Sequence, residues 1–389
     1  MRVCLIMPNV FPVPATKGGA TETLMTNLLK ENEKEGKIDF TCVSVYEENA
    51  ERLSKQYQHT KFIYIDQKRD NLDLTFKSKD TFFKTYMDEI KKQIHPDNYD
   101  FIIVEGGDIS GYEYLLKHFP KEKCLVHIHG IALGDNKINK EIYHKFIAIS
   151  KFTCGMIKKD GQIKDNQIEL LYNAIDVNEF YKTISEEEKR ELRKKYEIDE
   201  KDTVILFIGR TIPEKGVKEL ISSFRNMRNI ERCKLLIVGS ANYGERVKTP
   251  YDYELEKIAE PIKDKIKFTG FIDNHDLYKI QNIADIAVVP SMFEELFGLV
   301  VVENMSSGLP LIVTNSGGMP EIVDDECAFI IDRDENLIKN LKEKLDYLAE
   351  NPEIREKMGA HGKERAKQFS MEKYLNNFYE LMKKIRDEE

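Results

Sequence analysis

The sequence predicts an α/β protein built from two doubly wound parallel sheets in succession, and three observations carry that prediction. Short apolar runs that read as strands alternate with runs at helical spacing, the alternation starts afresh past the middle of the chain, and glycine-bearing motifs stand directly after the strand runs. At 389 residues the chain also exceeds what one hydrophobic core usually serves, which agrees with two domains facing a central cleft.

In the first series, strand runs stand at residues 3–7, 40–45, 62–65, 101–104, 124–128 and 146–149. Most are apolar throughout, the pattern of strands covered on both faces by helices. Between them lie helical patterns at 21–33, with Leu24, Met25, Leu28 and Leu29 in phase, and at 80–93, with Phe82, Phe83, Tyr86 and Ile90. The opening MRVCLIMPNVFPVP reads as a first strand and a loop, because Asn9 and three prolines interrupt the apolar run that a secretion signal needs.

A charged stretch, 185–202, separates this series from a second set of strands at 203–208, 233–238, 266–268, 286–289, 309–313 and 329–331. Helical patterns intervene at 217–226, 253–262, 275–282 and 299–306, each bounded by Gly, Pro, Asp or Asn. The domains are therefore expected at 1–180 and 181–370. A last helical pattern at 371–386, with Tyr374, Phe378, Leu381 and Met382 in phase, suits either lobe.

Composition narrows the function classes. The chain is 41% hydrophobic and 33% charged, and lacks a run of about 20 apolar residues to span a bilayer. A formal charge of −9 argues against a broad nucleic-acid surface and leaves room for a local basic pocket. The six cysteines are scattered without CxxC spacing, as core thiols of a reducing compartment would be, so a cytoplasmic location is expected. Lys151, Lys158, Lys159 and Lys164 around Phe152 and Met156 suit a solvated helix face, with peripheral membrane contact as the other reading.

Four motifs carry the chemistry. In FEELFGLVVVENMSSGLP, Glu295 and Glu303 frame Phe297, Gly298 and Leu299. A helix starting at Gly298 would aim unpaired N–H groups at an anion, Glu303 would accept from two adjacent hydroxyls, and Glu295 would hold sugar hydroxyls. Two glutamates at a helix start also suit its positive end without any ligand. In FIGRTIPEKGVKEL, Gly209 ends a strand, and Arg210 and Lys215 would converge on one anion or stand as a solvated pair. Gly18 and Gly19 between the first strand and the first helix would offer loop amides, or make an ordinary turn. His127 and His129 in VHIHG share one strand face, with His129 nearer the strand end. No third His, Cys or carboxylate stands beside them at metal-ligand spacing, so no metal is expected there.

In this order the motifs resemble the retaining glycosyltransferases of family 4, which have the GT-B fold. The resemblance covers nearly the whole chain through the GG loop, LLYNAIDVNEF, GR…KG, LLIVGS, FTGFI, the E-x7-E pair and SGLPLIVTNSGGMPEIV. It implies a donor-binding second domain, with Arg210 and Lys215 on the diphosphate of a nucleotide sugar and Glu303 on the ribose. Glu295 and the amides around Phe297, Gly298 and Leu299 would meet the sugar and phosphates, Gly239, Phe271 and Ile272 would flank the nucleoside, and Gly209 would also bind the donor. Gly18 and Gly19 would contact the donor, with Gly19 and His129 approaching the reacting sugar from a first domain that also binds the acceptor and to which 371–389 would return. Catalytic roles fall to His129, Glu295, Arg210 and Lys215.

The implied reaction moves a sugar, UDP-linked by default, to an acceptor hydroxyl on a glycan, glycoconjugate or lipid-linked acceptor, with retention and without a metal or other cofactor. Polysaccharide assembly is the implied context. Leu296, Ala174 and Thr21 depart from the family pattern, where Pro, Gly and Glu are frequent. A nucleotide-sugar epimerase of the same fold and a non-catalytic nucleotide- or glycan-binding protein are the rival readings.

Overall fold

The computed structural model describes residues 1–66, 76–107, 111–130, 141–161, 163–241 and 248–388; the side chains of 76–83, 160 and 161, Phe82 and Phe83 among them, lie outside that description. The chain forms two compact units, Met1–Ala174 with Met371–Glu389, and Ile175–Ser370. The division thus falls at Ala174, ahead of the expected 180.

The first unit holds a parallel sheet of seven strands. They are β1 (Arg2–Ile6), β2 (Asp39–Val45), β3 (Thr60–Ile65), β4 (Phe101–Glu105), β5 (Cys124–Ile128), β6 (Lys145–Ala148) and β7 (Ile168–Leu170), in the order β3-β2-β1-β4-β5-β6-β7. The apolar runs explain the topology: β1, β4 and β5 are buried almost end to end, as strands with helices on both faces must be. One face packs Cys4, Ile6, Val104 and Val126 with Tyr86 and Ile90, the other Val3, Leu5 and Ile103 with Leu24, Leu28, Phe378 and Met382.

The second unit repeats the plan with β8 (Thr203–Ile208), β9 (Cys233–Val238), β10 (Ile266–Gly270), β11 (Ile286–Val289), β12 (Leu311–Thr314) and β13 (Ala328–Ile331), all parallel, in the order β10-β9-β8-β11-β12-β13. Both units are Rossmann-like. Each has one switch point where the winding reverses, between β1 and β4 and between β8 and β11; ligands bind outside the carboxyl ends of strands at such points.

The charged stretch is not a bare linker. Glu186–Lys195 is a helix, started by Ser185, whose side chain accepts from the Glu188 N–H, with three glutamates in its first turn and three cations in its last. It buries no side chain, which is why periodicity missed it. Helices Leu337–Glu350 and Pro352–Ala366, also unforeseen, complete the second unit.

The final helix, Met371–Asp387, packs on the first unit. Its Tyr374, Phe378, Leu381 and Met382 enter that core, and the Phe378 ring lies 5.9 Å from that of Phe40. Lys384 pairs with Glu169 at 2.8 Å, and Glu388 with Lys145 at 2.5 Å. Within the second unit, Ile175 pairs with Ser370 in a parallel bridge, so the residues at which the chain enters and leaves that unit lie side by side.

Five cysteines are buried and Cys154 half-buried, all six as free thiols. Met156 packs against the first core and Lys158 pairs with Asp165 at 2.8 Å, so the lysine-bearing helix turns its apolar residue inward. Among the described residues no helix is long and apolar enough to cross a membrane. Removing the Phe378 ring should cost about 3–5 kcal/mol. A urea titration of Phe378→Ala should show the lower midpoint; an unchanged one would mean that this helix adds nothing to the first core.

Candidate functional site

In the second unit every expected site residue lies at the carboxyl edge of the sheet. Gly209, Arg210 and Lys215 follow β8, Gly239 follows β9, Phe271 and Ile272 follow β10, and Glu295, Phe297, Gly298, Leu299 and Glu303 follow β11. The loops after β8 and β11 flank the switch point.

These loops are tied together at short range. The Gly209 N–H donates to the Val238 carbonyl and the Gly239 N–H to the Gly270 carbonyl, linking the ends of β8, β9 and β10. A Cβ at Gly239, where φ is +132°, would stand 1.9 Å from the Gly209 carbonyl oxygen, so only glycine permits this approach. On the other side, the Met292 N–H donates to the Glu214 carbonyl at 2.7 Å.

Glu295 is the most heavily bonded residue of the set. Its Oε1 accepts from Lys215 Nζ and from Ser291 Oγ, each at 2.6 Å. Its N–H donates to Ser316 Oγ at 3.1 Å and its carbonyl accepts from the Gly318 N–H at 2.7 Å. A Cβ at Gly317 would meet that same carbonyl oxygen at 1.9 Å, which gives the GG of SGGMPE its function. Lys215 and Glu295 are 21% and 12% exposed, and Lys215 Nζ also lies 4.8 Å above the Phe293 ring. Lys215 therefore turns to Glu295, while Arg210 is exposed and has no hydrogen-bond or ion-pair partner among the described residues. Ser291 and Ser316 were not foreseen, because small hydroxyls in loops carry no pattern.

The helix Leu299–Ser306 begins at Gly298, whose φ is +104°. No side chain caps it and its first turn holds no acidic residue. Its positive end is therefore unneutralised, the state that receives an anion. The Phe297 side chain is buried against Phe369, with rings 5.7 Å apart, so only its main chain can face a ligand. Glu303 is half-buried, and its carboxylate accepts no hydrogen bond from a described side chain. Burial pushes its carboxyl up to about 7. Phe271 is 47% exposed, as a platform for a planar ring would be.

In the first unit Gly18 and Gly19 follow β1 and His129 follows β5. A Cβ at Gly19 would stand 2.1 Å from Glu22 Oε2, so the Glu22 carboxylate folds over this helix start. It is buried, which raises its pKa. An acidic group there opposes a phosphate at Gly19 and suits a hydroxyl.

One expectation is corrected. A carboxylate does stand beside the HxH pair: β4 and β5 pair in the register Glu105 to His127, and Glu105 Oε2 lies 2.9 Å from His127 Nδ1 and 2.8 Å from His129 Nε2. Spacing in sequence concealed it, since strand pairing supplies the third member. The three side chains could each offer a ligand atom to a metal, all within 4.8 Å of one another. The observed distances are those of hydrogen bonds. Among the described residues there is no other such group.

Residues 188–365 match the family described as glycosyl transferases group 1. The match spans most of the second unit. The chain is 28% identical to the lipopolysaccharide 1,2-N-acetylglucosaminetransferase of Salmonella typhimurium over 233 residues, 58% of each chain. Among solved structures, a glycosyltransferase of Rickettsia africae shares its fold with a TM-score of 0.78 at 19% identity, covering 99% of this chain and 98% of that one. HepE of Anabaena, solved with UDP-glucose, does so at 0.73 and 18%, covering 98% and 99%. The fold is GT-B, and the chain is a glycosyltransferase.

Glu303 makes a pH prediction. Its native carboxyl binds a proton up to about pH 7, whereas an unfolded glutamate loses it near 4. The group therefore favours folding fully below about pH 4, and that contribution declines up to about pH 7 and is level above. Glu303→Gln should gain in Tm over the parent between pH 5 and 8. A gap independent of pH would contradict this environment.

Proposed function

We propose that this glycosyltransferase moves a sugar from a UDP-linked donor to a hydroxyl of a glycan or lipid-linked glycoconjugate, with retention at the anomeric carbon. The observation that carries this reading is the uncapped helix start at Gly298, with Lys215 and Arg210 on the loop across the switch point and an unpartnered Glu303 one turn along. Those groups match the parts of a nucleoside diphosphate sugar: cations and helix amides for the diphosphate, a carboxylate for two vicinal ribose hydroxyls, and exposed Phe271 with Ile272 and Gly239 for the base.

Breaking the bond between the anomeric carbon and the phosphate oxygen leaves an oxocarbenium-like centre and adds negative charge to the diphosphate. Arg210, Lys215 and the helix amides stabilise that charge, the part a divalent cation plays in other transferases. To reach the phosphate, Lys215 gives up its pair with Glu295, and Glu295, still held by Ser291, turns its freed capacity to the sugar hydroxyls. Retention follows if the acceptor hydroxyl attacks the face that the diphosphate leaves, passing its proton to a phosphate oxygen. Gly18, Gly19 and His129 take the acceptor side in this scheme. Support for UDP comes from the UDP-glucose held by HepE, and support for a glycan acceptor from the Salmonella transferase.

Lys215→Ala should lower kcat/KM at subsaturating donor by about a hundredfold or more, and should also lower the Tm, because Glu295 loses its cation. Glu303→Ala should act mainly on donor binding. Near-parental values in both would refute the assignment. UDP-sugars should stabilise the parent by about 2.7 kcal/mol at a hundredfold excess over Kd and so raise its Tm more than GDP- and ADP-sugars do. Stabilisation by GDP-sugars alone would move the base assignment.

A further inference from the structure

We propose that Glu105 is a positioning residue for His129, fixing the imidazole as the tautomer with its proton on Nε2 so that Nδ1 is left as a hydrogen-bond acceptor. This rests on the reading of His129 as an acceptor-side group.

The geometry is closed on three sides of the ring. Glu105 Oε2 takes the Nε2 position at 2.8 Å. The His127 ring lies 3.9 Å away, centroid to centroid, and is itself held through Nδ1 by the same oxygen. Gly106, directly after Glu105, lies against the third side: a Cβ built on it would be 3.6 Å from His129 Cδ2. Glu105 and His127 are fully buried, and the His129 side chain is 7% exposed.

An ionised carboxylate oxygen can only accept, so both nitrogens that face it must carry protons. Burial would raise the Glu105 pKa, yet the two imidazoles hold it down to about 2, which keeps it an acceptor. Burial, with His127 alongside, lowers His129 to about 4, so the ring is neutral near pH 7. A neutral ring with its proton on Nε2 has a lone pair on Nδ1. The other nitrogen of His127, Nε2, is buried without a hydrogen-bond partner.

The consequence is a statement about chemical class. The nitrogen His129 has to spare recognises a hydroxyl donor and not a phosphate oxygen, because two acceptors repel. This agrees with the Glu22 carboxylate over Gly19, a second acceptor on the same edge of this sheet. The first unit then offers acceptors to hydroxyls, where the second offers donors to phosphate.

Two measurements on the full chain test this. Long-range nitrogen–proton correlation spectra of the ring-labelled parent at pH 7 should show His129 as the Nε2–H tautomer, assigned by its loss in His129→Ala. The Nδ1–H form or an imidazolium would overturn the inference whatever the activity. In Glu105→Leu the single tautomer should give way to a mixture, and kcat should fall on the order of tenfold or more, to the level of His129→Ala, with donor KM unchanged. The double variant should be no slower, and Glu105→Gln, which keeps an acceptor oxygen, should lie between. A slow Glu105→Leu that keeps the parental tautomer would make Glu105 merely structural. Should Glu105→Leu not fold, the parental spectrum and the Gln variant decide. A parent that transfers no sugar from any donor would sink the proposed reaction and leave the tautomer result standing.

Discussion

The second unit is organised around the bonding of Glu295. One residue accepts from the loop after β8 through Lys215, from its own loop through Ser291, and bonds through its backbone to Ser316 and Gly318 after β12. Three strand ends that topology merely places near one another become a single framed edge. The frame requires a missing side chain at Gly317, because the Glu295 carbonyl occupies the place of a Cβ. It also requires opposite charges on Lys215 and Glu295, since a half-buried lysine without the pair would be costly to desolvate.

That pair sets the electrostatic state of the edge before any ligand arrives. Lys215 is neutralised locally and Arg210 is not, while the helix start at Gly298 faces outward with neither cap nor acidic residue to offset its dipole. A diphosphate brought there meets an unbalanced positive end and one solvated guanidinium, and then competes with a carboxylate for Lys215. Such competition favours a ligand that replaces the lost partner on both sides: phosphate for the lysine and hydroxyls for the glutamate. An isolated anion meets only half of that demand, and a sugar attached to a diphosphate meets all of it.

Both sheets were legible because strands covered on two faces must be apolar along their whole length, and no surface helix imitates that. The glycine motifs were legible for a related reason, since strand ends at a switch point need backbone contact. What periodicity could not show was anything resting on pairing register or on charge alone. Glu105 belongs to the His127 and His129 cluster only because β4 lies beside β5, a fact of the third dimension separated by 22 positions in sequence. The Glu186–Lys195 helix was hidden because Leu192 is its sole apolar residue, although its cap and its acidic-to-basic polarity were in plain view. The burial of Phe297 against Phe369 likewise depends on where the chain returns after the last helices.

Three glutamates at or beyond the carboxyl ends of strands show how one side chain is set to different tasks by its surroundings. Glu295 is held by a cation and a hydroxyl and serves as a fixed acceptor. Glu303 is enclosed without a partner, so that burial pushes it up to about 7 and donated hydrogen bonds from a ligand would return it to the charged form. Glu105 is buried more deeply still, yet two imidazole N–H groups hold it down to about 2. Depth alone therefore does not order Glu105 and Glu303. The donors each one meets do, and Glu303, whose carboxylate meets none among the described side chains, is the one whose protonation a bound hydroxyl pair can change.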